Sequence, residues 1–150
     1  MKELTLPAYS CRITGEEGSR MIFDPVRRKF VRLTPEEWVR QHFINYLITY
    51  GNYPAGLIGV EVGFKMNKLR KRIDLLIHNR RGEPVMIIEC KEPDVNIDAK
   101  VFDQIIVYNM QFRVPYLVLT NGILNYACRI NYEDNSREYL DLIPQYEELT

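Results

Sequence analysis

Two acidic residues, Asp74 and Glu89, interrupt stretches of sequence that are otherwise apolar. The stretches 72–79 and 85–91 predict two strands, and the short turn between them predicts a β-hairpin. A symmetric turn pairs three positions across this hairpin: Ile77 with Met86, Asn79 with Pro84, and Asp74 with Glu89. Opposed residues have Cβ atoms about 4.5 to 5.5 Å apart, so two like charges there are destabilising unless another group compensates.

The residues around this acidic pair suit a divalent cation. Because side chains alternate along a strand, Glu89 and Lys91 share one face, and Cys90 points to the other with its backbone carbonyl near the pair. Two carboxylates and a carbonyl, with open positions for water, are a ligand set that Mg²⁺ (or Mn²⁺) accepts. We therefore predict a metal site at Asp74, Glu89 and the Cys90 carbonyl. The alternative is a set of plain ion pairs: Asp74 with Arg72 or Lys71, and Glu89 with Lys91.

The remaining elements predict an α/β fold. Thr34 and Pro35 start a helix that ends near residue 50, and Glu37 stands three residues after Thr34, as in a capping box. The periodicity predicts strands at 57–66, 115–120 and 124–131 and a second helix at 98–112, with short strands near 21–23 and 30–33. The result is a mixed central sheet in the order helix, three strands, helix, strands, with helices on its faces and a short N-terminal strand extension.

The composition favours a single soluble domain. The 150 residues are 46% hydrophobic, and no apolar run approaches the roughly 18 residues that a membrane helix needs. We expect an N-terminal extension over 1–33, a core over 34–132 and an acidic C-terminal segment over 133–150. The three cysteines fit neither a disulfide framework nor a zinc site. We expect a cytoplasmic protein.

Charge is unevenly distributed although the formal net charge is zero. Residues 1–91 carry 16 Lys and Arg against 10 Asp and Glu, while residues 92–150 carry 4 against 10. Clustered basic residues predict a positive face that attracts phosphates, although a simple solvated surface accounts for them as well. The candidate nucleic-acid contacts are Arg27, Arg28, Lys68, Arg70 and Arg80.

The order of these motifs resembles a known superfamily. Asp74 followed by Glu89-Cys90-Lys91 resembles the D…(D/E)XK signature of PD-(D/E)XK nucleases, and Gln104 with Tyr108 resembles their QxxxY element. More narrowly, several segments look like stand-alone bacterial proteins related to the N-terminal endonuclease domain of type I restriction R subunits: Phe23-Asp24-Pro25, the stretch 34–41, Phe102-Asp103-Gln104 and Thr120-Asn121-Gly122. Ile73 stands where the name-giving proline would be, and no GxxxxGK[ST] phosphate loop of a motor is present.

The resemblance implies roles for individual residues. Asp74 and Glu89 hold the metal, and Lys91 orients or activates the attacking water and stabilises the developing phosphorane charge. Glu37 is implied as a further ligand, although its capping-box role already accounts for it. Gln104 and Tyr108 are implied to contact substrate phosphates or support the lysine, with ordinary packing as the alternative.

The leading functional hypothesis is a metal-dependent endonuclease, or nuclease-like domain, that hydrolyses DNA phosphodiester bonds. The alternative is a catalytically silent nucleic-acid-binding or assembly subunit of a restriction-type complex. The missing motor suggests separate motor or specificity subunits as partners, and cutting both strands favours a homodimer.

Overall fold

A small antiparallel sheet opens the chain. The structure, a computed structural model, describes residues 1–149 apart from the side chains of Tyr108 and Met110. The sheet has strands β1 (Ile13–Thr14), β2 (Met21–Asp24) and β3 (Lys29–Arg32) in that order. Strands β2 and β3 match the predicted strands near 21–23 and 30–33, whereas β1 was not predicted.

A six-stranded mixed sheet forms the centre of the fold. Its spatial order follows the chain: β4 (Ile58–Met66), β5 (Leu69–His78), β6 (Pro84–Cys90), β7 (Tyr116–Thr120), β8 (Asn125–Asn131) and β9 (Ser136–Leu140). Neighbouring strands are antiparallel except β6 and β7. Those two run parallel because helix α2 (Ala99–Phe112) carries the chain back between them. The predicted α/β order is present, with β9 as an extra strand.

Local sequence signals set the ends of both helices. Helix α1 (Pro35–Gly51) begins after Thr34, whose Oγ1 accepts a hydrogen bond from the backbone N–H of Glu37 at 3.0 Å. It ends at Asn52, which adopts a left-handed conformation with φ 58°. Asp98 caps α2 in the same way, accepting from the backbone N–H of Val101 at 3.0 Å.

The two helices lie against opposite faces of the central sheet. Phe43 and Leu47 of α1 share a buried cluster with Ile88, whereas Phe102 of α2 packs in a second cluster with Ile87. Alternation along β6 thus sends successive side chains into different cores. A strand covered on both faces explains why β6 is apolar without alternation.

The hairpin of β5 and β6 follows the predicted register for most of its length. Ile77 pairs with Met86 as expected, but a shift between Ile77 and His78 pairs His78, rather than Asn79, with Pro84. The predicted pairing of Asn79 with Pro84 is therefore wrong. The turn is asymmetric because the Asn79 side chain accepts hydrogen bonds from the backbone N–H groups of Arg81 and Glu83, each at 2.9 Å.

The C-terminal acidic segment is more structured than its composition predicts. It contains β9, which pairs antiparallel with β8, and a short 3-10 helix at Tyr146–Glu148. The residues of β9 are mostly exposed, so no apolar alternation marks them in the sequence. Tyr146 and Leu149 return to the core on the α1 side of the sheet.

Within the described residues, no helix combines the length and the apolar character that a membrane crossing requires.

Leu47 provides a test of the core beneath α1. Its side chain is fully buried, so Leu47→Ala should lower the free energy of unfolding by about 2 to 5 kcal/mol through lost burial and a residual cavity. The matched control is Leu142→Ala, at a residue that is 80% exposed, which should change it by less than about 0.5 kcal/mol. Urea unfolding followed by circular dichroism measures both, and equal effects would contradict this description of the core.

Candidate functional site

Asp74 and Glu89 lie where the pairing of β5 and β6 ends. The last paired residues are Leu75 and Ile88, and the next position in each strand is occupied by one of the two acids. Exposure is 9% for Asp74 and 8% for Glu89. The hairpin therefore holds two carboxyl groups close together with little access to water.

Both oxygens of Asp74 have hydrogen-bond donors. Its Oδ2 accepts from the backbone N–H of Cys90 at 2.7 Å, and its Oδ1 accepts from Nη2 of Arg40 at 2.8 Å. Arg40 comes from α1, and the sequence alone gave no reason to connect it with β5. The alternative in which Asp74 pairs with Arg72 or Lys71 is wrong, since the ion-pair partner is Arg40.

Glu89 has donors for only part of its carboxyl group. Its Oε1 is buried and has no hydrogen-bond partner, although the carboxyl group interacts with the backbone N–H and the carboxyl of Asp74. Burial, followed by the adjacent carboxyl of Asp74, raises the pKa of Glu89 well above its ordinary value, and the positive charge of Lys91 offsets part of this increase. With a pKa of about 9, the Glu89 carboxyl of the metal-free protein holds a proton at neutral pH, and Asp74 forms an ion pair with Arg40.

Lys91 follows Glu89 at the end of β6 and is half-buried. Its backbone N–H donates to the carbonyl of Thr120 at 2.8 Å, which fixes the chain just beyond the strand. Its charge acts on Glu89 and also on Glu36 of α1. The charge of Lys91 therefore influences Glu89 and also Glu36, which had not been predicted as a site residue.

The first turn of α1 presents two glutamates with different surroundings. Glu37 is buried, and its carboxylate accepts hydrogen bonds from three side chains: Arg27 at 3.0 Å, Arg40 at 2.6 Å and Gln41 at 3.1 Å. Glu36 is more accessible, and burial together with the negative charge of Asp74 raises its pKa. Glu36 thus accepts fewer of these hydrogen bonds than the predicted Glu37, and it lies close enough to Asp74 to respond to its charge.

Two arginines link the N-terminal sheet, α1 and the central sheet. Arg27 binds Asp24 at 2.6 Å, Glu37 at 3.0 Å and Glu61 at 3.0 Å. Arg40 approaches the same Glu61 at 3.5 Å. Asp24 is fully buried, and contact with Arg27 and Gln41 lowers its pKa despite that burial. These ion pairs fix the N-terminal sheet beside the site.

An open groove of about 590 Å³ lies between the N-terminal sheet and the first turn of α1. Acidic residues and arginines share its lining: Glu36, Glu37, Glu61, Glu92, Arg27, Arg32 and Arg40. Across the described part of the chain, no three His, Cys, Asp or Glu side chains are arranged to hold a metal ion by themselves. A cation at Asp74 and Glu89 therefore needs further oxygen ligands from backbone, water or substrate.

Three other predicted site residues remain: Gln104, Tyr108 and Arg27. Gln104 is exposed on α2. The side chain of Tyr108 lies outside the described residues. Arg27 is engaged in the ion pairs above and is not a free basic group.

The predicted basic residues lie at three different turns of the chain. Arg28 is exposed in the turn between β2 and β3, and Lys68 and Arg70 are exposed where β4 turns into β5. Arg80 lies at the opposite end of the β5–β6 hairpin from Glu89 and pairs with Glu147 at 3.3 Å. The structure does not bring Arg80 to the acidic pair.

The raised pKa of Glu89 predicts a pH-dependent stability of the metal-free protein. The folded state binds this proton with a pKa of about 9, against an ordinary value of 4.5. Its contribution to stability is therefore complete below about pH 4.5 and is lost as the pH rises towards 9. In chelator, the free energy of unfolding of wild type should fall by up to about 1.4 kcal/mol per pH unit more than that of Glu89→Gln between pH 6 and pH 8. Urea unfolding at several pH values measures the difference, and parallel curves for the two proteins would contradict it.

Comparison with known proteins agrees with this architecture. The solved structure described as "the fragment structure of a putative HsdR subunit of a type I restriction enzyme from Vibrio vulnificus YJ016" is similar over 78% of this chain, with a TM-score of 0.56 and 19% sequence identity. This chain spans 24% of that one, and at this identity the likeness concerns the fold.

No curated protein matches the sequence. The model of the family described as type I restriction enzyme R protein N terminus matches residues 35–144, which contain both helices and all six strands of the central sheet. The chain therefore belongs to the family of type I restriction enzyme R protein N-terminal domains.

Proposed function

We propose that this protein is a metal-dependent nuclease that hydrolyses DNA phosphodiester bonds, built on a restriction-endonuclease-like core. The supporting observation is the buried pair of Asp74 and Glu89 beside Lys91, with one oxygen of Glu89 left without a donor. A buried carboxyl oxygen normally has a partner, and a cation would provide one. Family membership supports a restriction-related, nuclease-like function.

The ligand set fits Mg²⁺ or Mn²⁺, which bind carboxylate and carbonyl oxygens and retain several waters. Asp74 and Glu89 would be direct ligands, together with the Cys90 carbonyl, and Glu36 would contribute directly or through water. A divalent cation bound there lowers the pKa of water and neutralises charge on the phosphate.

The side chains around the ligands have complementary tasks. Asp74 accepts hydrogen bonds from the Cys90 N–H and from Arg40, and Glu89 would give up its proton on becoming a ligand. Lys91, half-buried beside Glu89, supplies a positive charge for the attacking water and for the negative charge that develops on the phosphate. Gln104 and Tyr108 remain, by family resemblance, proposed phosphate contacts.

The substrate and partners follow from the family context. A DNA strand would enter along the groove beside the first turn of α1, with Arg28, Lys68 and Arg70 as phosphate contacts. Motor and specificity functions would come from separate subunits, and cleavage of both strands would require two copies of the site. Such a protein would act in the cytoplasm.

A second candidate function is a nucleic-acid-binding or assembly subunit without catalysis. It is favoured by one observation, that Asp74 is already satisfied by two donors without a metal. The two functions differ in their dependence on a divalent cation. A silent subunit binds DNA equally well in chelator and in Mg²⁺, and its plasmid substrate stays intact.

Replacement of Glu89 tests the nuclease directly. Glu89→Gln should reduce Mg²⁺-dependent plasmid cleavage by at least about 100-fold, because it removes an anionic ligand while preserving side-chain volume. The variant should also lose the Mg²⁺-dependent rise in melting temperature, which for wild type at 100 times the dissociation constant corresponds to about 2.7 kcal/mol.

The matched control is Glu133→Gln, at an exposed residue in the turn between β8 and β9. It should retain both cleavage and the Mg²⁺ effect. A wild-type protein whose melting temperature does not respond to Mg²⁺ or Mn²⁺ would exclude the metal site. Metal binding without cleavage on any plasmid or single-stranded substrate would favour the assembly function.

The basic turn between β4 and β5 is predicted to contact phosphates. Replacing Lys68 and Arg70 together with alanine should weaken DNA binding and reduce the slope of log affinity against log salt by about 2, about 1 per lost contact. Arg80→Ala, at the far end of the hairpin, should leave that slope unchanged. Fluorescence anisotropy with labelled DNA at several salt concentrations measures this, and a salt-independent affinity would refute a phosphate-binding surface.

A further inference from the structure

Arg40 is a buried arginine whose hydrogen bonds go to acidic side chains. It is 4% exposed. Its Nη2 donates to Oδ1 of Asp74 at 2.8 Å and to Oε1 of Glu36 at 3.1 Å, and its Nη1 donates to Oε1 of Glu37 at 2.6 Å. The planar, rigid guanidinium can fix several carboxylates at once, which a lysine ammonium on a flexible stem cannot reproduce.

We infer that Arg40 is a positioning residue, which orients the carboxylate of Asp74 towards Glu89 so that the two can share a cation. This inference rests on the proposed metal site. With Oδ1 held by Arg40 and Oδ2 held by the Cys90 N–H, the carboxylate of Asp74 cannot rotate away from Glu89. Each oxygen still has a lone pair for a further partner.

The geometry of Arg40 and its charge have opposite effects on metal binding. A positive charge so close to Asp74 repels a cation, so loss of the charge alone would strengthen metal binding. Loss of the orientation weakens it, since the groups that orient metal ligands typically contribute 10- to 100-fold in affinity. The substitution Arg40→Lys retains the positive charge and removes the planar guanidinium. It therefore isolates the contribution of geometry to metal affinity.

The test is the Mn²⁺ affinity of Arg40→Lys, measured by electron paramagnetic resonance of free Mn²⁺ at a temperature where circular dichroism shows a folded protein. We expect the affinity to fall about tenfold or more. The matched control is Arg27→Lys, because Arg27 shares Glu37 and Glu61 with Arg40 but makes no ion pair with Asp74. Its Mn²⁺ affinity should stay close to that of wild type.

The possible outcomes separate this inference from the proposed function. The positioning role is wrong if Arg40→Lys binds Mn²⁺ with wild-type affinity. It is also wrong if Arg27→Lys loses as much affinity as Arg40→Lys, because an equal loss indicates a general loosening of the ion-pair network. Unchanged Mn²⁺ affinity in Glu89→Gln instead contradicts the metal site itself.

If Arg40→Lys does not fold, the Nη resonances of Arg40 in wild-type protein labelled with ¹⁵N-arginine provide the test. They should shift as Mg²⁺ saturates the site, and resonances that do not respond contradict the inference.

Discussion

Two carboxyl groups held side by side with little water impose the main constraint on this structure. Asp74 and Glu89 repel each other when both are ionised, and burial increases the cost. The protein limits this cost in two ways. Asp74 accepts hydrogen bonds from Arg40 and from a backbone N–H, whereas Glu89 takes up a proton. Because of this difference, Glu89 is the group whose protonation the proposed cation would change.

The fold supplies the positions that this pair requires. The end of the β5–β6 pairing brings Asp74 and Glu89 together, and the parallel neighbour β7 anchors the chain at Lys91 through the carbonyl of Thr120. Helix α1 lies on one face and directs its first turn, with Glu36, towards the pair. Rigid strands and a capped helix give more precise placement than loops would.

The N-terminal sheet is part of this arrangement through charge rather than through apolar packing alone. Arg27, at its last turn, contacts Glu37 of α1 and Glu61 of β4, and Arg40 shares both of these partners. Buried ion pairs of this kind add little net stability compared with apolar packing, but removing one partner leaves an uncompensated charge and is costly. The main effect of this network is therefore on geometry, since it fixes the carboxylates of Glu37 and Glu61 relative to α1 and the N-terminal sheet.

Local patterns in the sequence determined the elements and the hairpin register near Asp74, because capping residues, periodicity and strand alternation act between residues close in the chain. They also predicted that Asp74, Glu89 and Lys91 form one site. Only the tertiary structure showed that Arg40 is the partner of Asp74, that Glu37 is occupied by ion pairs while Glu36 faces the site, and that Arg80 lies far from it. Those outcomes depend on how α1, the N-terminal sheet and the hairpin pack, and ion pairs between residues 34 positions apart leave no periodic signal. Strand β9 escaped prediction for a related reason, since backbone pairing with β8 forms it without an apolar face.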